Sequence, residues 1–102
     1  MKVVRVQYTT RQEFAPVNQQ NIMAIVEELK SLNHPGIKYT AWLLSDGKTF
    51  MHFDQLANEE AHQVLQELPS FKKFAAELWA SDLELEPQLE LLSPVASTEI
   101  YF

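Results

Sequence analysis

The sequence contains no cysteine, only two glycines and few basic residues, and each shortage closes off a class of function. Without cysteine there is no disulfide, no thiolate-ligated zinc, no iron–sulfur cluster and no thiol nucleophile. Two glycines argue against a phosphate-cradling loop, where the backbone must approach the ligand closely. Eight lysines and arginines stand against fourteen aspartates and glutamates, a formal charge of −6. No basic footprint is therefore available for a nucleic acid or an anionic membrane. Long apolar runs are missing too: Met23-Ala24-Ile25-Val26 and Ala41-Trp42-Leu43-Leu44 are far too short to cross a bilayer. Arg5 interrupts the apolar start of the chain, so no secretory leader is expected and the expected location is the cytoplasm. What remains is 102 residues, 46% hydrophobic and 22% charged, the composition of one globular domain.

Periodicity orders the chain. Val3 to Tyr8, rich in β-branched and aromatic residues, predicts a strand. Thr10 and Glu13 have capping-box spacing, and Pro16 suits the first turn of a helix. Ile22, Ile25, Val26, Leu29 and Leu32 then form one helical stripe, stopped by Asn33-His34-Pro35-Gly36. Ile37 to Ser45 and Thr49 to Asp54 predict two strands joined through Asp46-Gly47, a hairpin signal. Asn58 is placed to cap a helix carrying Ala61, Val64, Leu65 and Leu68. Pro69 breaks it, and Ser70 can recap a second helix with Phe71, Phe74, Ala75 and Leu78. Leu83, Leu85, Leu89 and Leu91 alternate with polar residues as a last strand. Pro87 within it requires a sheet edge or a bulge.

Strand, helix, strand, strand, helix, strand is the ferredoxin-like βαββαβ order, an α+β fold. It predicts a four-stranded antiparallel sheet, order 4-1-3-2, with the helices on one face. Residues 1–92 make one domain, and 93–102 a tail whose Ile100-Tyr101-Phe102 end can dock on a partner subunit. Strand parity predicts Val4, Val6, Tyr8, Tyr39, Ala41, Leu43, Met51 and Phe53 on the helix side. Arg5, Gln7, Thr40, Trp42, Leu44, Phe50, His52 and Asp54 are then expected on the other face. Trp42, Leu44 and Phe50 together represent several kcal/mol of burial at about 25 cal/mol per Å², which marks them as a homodimer interface.

Several features together resemble the antibiotic-biosynthesis-monooxygenase-like branch of the dimeric α+β-barrel superfamily. They are the βαββαβ order, the apolar outer face, and the stretch Asn58-Glu59-Glu60-Ala61-His62 … Leu68-Pro69-Ser70-Phe71-Lys72-Lys73-Phe74. The resemblance implies a homodimer with a cavity between sheet and helices. It implies chemistry drawn from a wide set: cofactor-independent oxygenases, haem-degrading oxygenases, isomerases and members without known activity. No fixed constellation of the family's Asn, Trp, Tyr or His is found at matching positions.

His52, with Asp54 at the same parity, is the candidate general base. The simpler reading is a hydrogen-bonded interface histidine. Trp42 can stack on a flat ligand, Tyr8 and Tyr39 can bring hydroxyls into an apolar cavity, and Arg5 shares the expected face of His52 and Asp54. These five (Tyr8, Tyr39, Trp42, Arg5, Asp54) are the candidate ligand contacts. His34 and His62 lack zinc spacing, so no metal is expected; a lone histidine holding haem is the weaker alternative to the expectation of no cofactor. An RNA-binding signature is missing, and Arg11 has no Gly-rich loop to form a phosphatase-like site. Two functions follow. One is a pocket for a small aromatic or polyketide-like molecule with cofactor-independent monooxygenase-like chemistry. The other is a noncatalytic homodimeric module that binds a ligand or a protein.

Overall fold

In the computed structural model, residues 1–99 and 102 are described; Ile100 and Tyr101, part of the expected docking tail, lie outside the described residues. The chain runs β1 (Lys2–Thr9), a short 3-10 turn (Gln12–Phe14), α1 (Ala15–Leu32), β2 (Ile37–Leu43), β3 (Thr49–Leu56), α2 (Glu59–Glu67), α3 (Pro69–Ala80) and β4 (Leu85–Leu92). The sheet order is β2-β3-β1-β4, with every neighbour antiparallel. This is the expected ferredoxin-like α+β architecture, with the helices packed on one face. Its core joins Ile22 and Ile25 of α1, Leu65 of α2 and Phe74 and Leu78 of α3 to Tyr8, Phe50 and Leu56 of the sheet.

Local chemistry explains the boundaries. Asn33 ends α1 in the left-handed region at φ 52, a conformation asparagine tolerates. Asn58 Oδ1 accepts from the Ala61 amide at 2.9 Å and caps α2, a contact worth about 1 kcal/mol. Pro69 forces Leu68 into an extended conformation and so separates α2 from α3. Ser70 does not recap α3 by itself. Its amide and hydroxyl both donate to Glu28 Oε1 of α1, at 3.0 and 2.6 Å, so an anion from another helix sits at the positive end of α3. Nor does Thr10 form a capping box: it is buried, and its hydroxyl donates to the carbonyls of Arg11 and Lys48.

The hairpin holds Gly47 at φ 76, and the Asp46 carboxylate accepts from the amides of Lys48 and Thr49. β2 ends at Leu43, which leaves Leu44 in the turn. β4 is an edge strand, and its register against β1 shifts between Gln7 and Thr9, so Pro87 has both an edge and a bulge to accommodate it.

One expectation is overturned. β3 is turned over relative to the predicted parity. Tyr8 lies opposite Phe50, Val6 opposite His52, and Val4 opposite Asp54, so these six share the helix face. Met51 and Phe53 pair with Gln7 and Arg5 on the outer face. The Thr9 and Thr49 hydroxyls, 2.9 Å apart, mark this register. Phe50 is consequently a core residue, 2% exposed, instead of part of an outer patch with Trp42 and Leu44. Hydrophobicity pointed the wrong way because the inner row of β3 carries His52 and Asp54, while its outer row carries two large apolar side chains.

Candidate functional site

Between the sheet and α3 lies a cavity of about 390 Å³, within the range of small-molecule sites. Val4 and Val6 form its floor, and Phe71, Phe74, Leu78 and Trp79 of α3 cover it. Leu89 and Leu91 of β4 face it along the sheet edge. The polar groups on this otherwise apolar wall include Tyr8, Tyr39, His52 and Asp54, with Lys2 and His62 at one end.

His52 is central. It is 4% exposed and packs against the rings of Tyr8, Tyr39 and Phe74. Its Nε2 lies 2.7 Å from the Tyr8 hydroxyl and its Nδ1 2.7 Å from the Tyr39 hydroxyl. Asn18, fully buried on α1, donates its side-chain amide to the Tyr8 oxygen at 2.8 Å. Burial drives the His52 pKa down to about 4, so the ring is neutral at pH 7. A neutral ring has one donor and one acceptor, and the Asn18 contact decides which is which. The Tyr8 oxygen already accepts from Asn18, and its buried O–H needs an acceptor, which is Nε2. Nδ1–H then donates to Tyr39. The Tyr39 O–H is left for a molecule in the cavity. Burial raises the pKa of both tyrosines, so they act as neutral donors.

Asp54 lies opposite Tyr39 in the β2–β3 register. Burial raises its pKa to about 6. Its Oδ1 is buried without a hydrogen-bond partner. A carboxylate poised near neutrality, with an unused lone pair on a cavity wall, is suited to take and return a proton. Among the described residues no three His, Asp or Glu side chains cluster as a metal site, and no helix is long and apolar enough to cross a membrane.

Four sequence candidates (Tyr8, Tyr39, His52 and Asp54) meet in one place. Arg5 does not join them: it lies on the outer face, with its guanidinium on Glu90 and Gln7. Trp42 is 60% exposed beside Met23 of α1, at a smaller groove on the β2 edge. His52 is not a free base, because both of its nitrogens are engaged by tyrosines. His34 accepts the Gly36 amide and contacts Glu60, roles that hold the turn before β2. Asn18 was missed, yet a signal existed. It stands four residues before Ile22 and seven before Ile25, on the apolar stripe of α1, where a polar side chain needs a buried partner.

No protein-family model matches this sequence, and no curated protein matches it either. Solved structures do. An antibiotic biosynthesis monooxygenase superposes with a TM-score of 0.77 at 15% identity, covering 94% of this chain and 100% of that one. Rv0793 from Mycobacterium tuberculosis gives 0.77 at 14% identity, covering 96% and 98%. PA3566 from Pseudomonas aeruginosa gives 0.76 at 18%, covering 93% and 94%. At such identities the likeness is one of fold. The chain shares its fold with solved proteins described as antibiotic biosynthesis monooxygenases.

Proposed function

We propose that the cavity binds a small aromatic or polyketide-like molecule and that Asp54 acts on it as the general base in cofactor-independent oxygenation. The observation that carries this reading is the unpartnered, buried Asp54 oxygen on the wall of an apolar cavity, beside the Tyr39 hydroxyl. Asp54 takes a proton from an activated ring CH₂. Tyr39 donates a hydrogen bond to the enolate oxygen that results. The carbanion gives an electron to dioxygen, and radical recombination forms a C–O bond to a peroxide. Loss of the second C–H proton breaks the O–O bond, so that CH₂ and O₂ become C=O and H₂O. The apolar wall keeps water from the intermediates.

The same reading makes residues 1–92 the folded unit and a homodimer the working form. Leu89 and Leu91 support it: they are 68% and 73% exposed beside the cavity, where a second copy would cover them. The tail 93–102 then docks on that copy.

Oxygen uptake with anthrone and hydroxylated naphthalenes tests the proposal. Wild-type protein is expected to consume oxygen in step with ketone formation, and Asp54→Asn to lower the rate at least about a hundredfold. The wild-type rate should rise as pH increases through about 6, where Asp54 loses its proton. Binding without oxygen uptake would overturn the catalytic reading and leave the noncatalytic module.

A further inference from the structure

The cavity has two electrically different ends, and we infer that the Lys2 end is a subsite for a carboxylate, making the ligand an aromatic acid. This rests on the cavity reading above and names its substrate class. Lys2, Val4, Val6 and Tyr8 alternate along the inner face of β1, and all four line the cavity. Tyr8 closes one end. Lys2 stands at the other, its side chain 35% exposed. Among the described residues lining the cavity, Lys2 is the only lysine or arginine, in a chain of charge −6.

Its contacts leave it available. Lys2 Nζ lies 3.2 Å from His62 Nδ1, which is itself 3.8 Å from the Glu59 carboxylate. Its ion pair with Glu59, at 3.9 Å, is longer than a hydrogen bond, and Glu59 is largely solvent-exposed. Such a pair is readily exchanged. The ammonium group, with three hydrogens and one hydrogen bond, therefore has a donor left for a ligand oxyanion. Asp54 fixes the orientation. It lies opposite Val4, one inner-face position from Lys2 towards Tyr8, so a ligand's acid group meets Lys2 and its reacting carbon meets Asp54. At about 3.4 Å per residue the two poles are roughly 7 Å apart along β1. That spacing suits an acid group on one ring and the reacting carbon on the next.

Quenching of Trp79 fluorescence tests this. Trp79 lines the cavity and Trp42 does not; the chain has two tryptophans, so Trp42→Phe leaves a single reporter. In that background 2-naphthoate should bind at least tenfold tighter than 2-naphthalenemethanol at low salt. Lys2→Met should abolish the preference while leaving the alcohol's affinity unchanged. Glu59→Gln, which removes the competing carboxylate, should widen it. Equal binding of the two probes, or a Lys2→Met variant that weakens both alike, overturns the subsite and leaves the cavity reading standing. Binding of neither probe overturns both.

Discussion

Two polar clusters lie on opposite faces of the sheet and share strand β1. On the inner face Asn18, Tyr8, His52 and Tyr39 form a chain of neutral groups, each contact 2.7–2.8 Å, with His52 and Tyr8 almost wholly buried. On the outer face Arg5 holds Glu90 at 2.7 Å and also reaches Gln7, a charged cluster open to solvent. β1 supplies Tyr8 to one and Gln7 to the other at adjacent positions, so the backbone does not decide the difference. Access to water does. Where water is excluded, the groups shed charge and must be satisfied by one another; where it is present, charges pair loosely and cost little to lose.

The sharpest way to break the comparison is to remove the centre of each cluster. His52→Leu leaves the Tyr8 and Tyr39 hydroxyls without their partner in a dry site and should cost about 3 kcal/mol. Arg5→Leu should cost under about 1 kcal/mol, less still in high salt. Urea denaturation of both variants reads the contrast, and equal losses would sink it.

Acid separates two inner-face groups that otherwise mask each other. The folded pKa of His52 is lowered from 6.5 to about 4, so its contribution is present above 6.5 and lost as pH falls through about 4. The folded pKa of Asp54 is raised from 3.8 to about 6, so its contribution is present below 3.8 and lost as pH rises through about 6. Each amounts to roughly 3 kcal/mol, with opposite sign over nearly the same window. Wild-type stability should therefore be nearly flat between pH 4 and about 6. Asp54→Asn should lose stability steadily on acidification across that window, measured as thermal midpoints. A flat profile in that variant would show that His52 is not held neutral by burial.

The smallest effect concerns direction. With Asn18 donating to Tyr8, His52 carries its proton on Nδ1, the less common tautomer, visible in ¹⁵N shifts of the imidazole. Asn18→Leu should cost about 1 kcal/mol and admit the Nε2–H form. An Nε2–H ring in the wild type would reverse the whole chain of donors.

The sequence disclosed the order of elements because each stop has a local cause: Asn33 before Pro35, Asn58 ahead of two glutamates, Pro69 between two apolar stripes. It disclosed Tyr8 and Tyr39 on the helix side for the same reason, since their strands alternate without ambiguity. It failed on β3. There the inward row with His52 and Asp54 is more polar than the outward row, Met51 and Phe53, and binary pattern alone turns the strand over. The failure fell on the candidate site because a cavity that works on a ligand spends polar residues on positions where packing alone would choose apolar ones. Arg5 was drawn in by the same inversion.

The sheet order also sets a schedule. β1 pairs with β4, so Val3 meets Leu92 across a separation of 89 residues (92 minus 3). Its other neighbour, β3, comes earlier, and the three-stranded unit with α1 can assemble while β4 is still missing. Such distant pairing slows folding. It also means that, during synthesis, Tyr8, His52 and Tyr39 can meet before Leu89 and Leu91 arrive, so the buried polar chain can close ahead of the strand that walls the cavity.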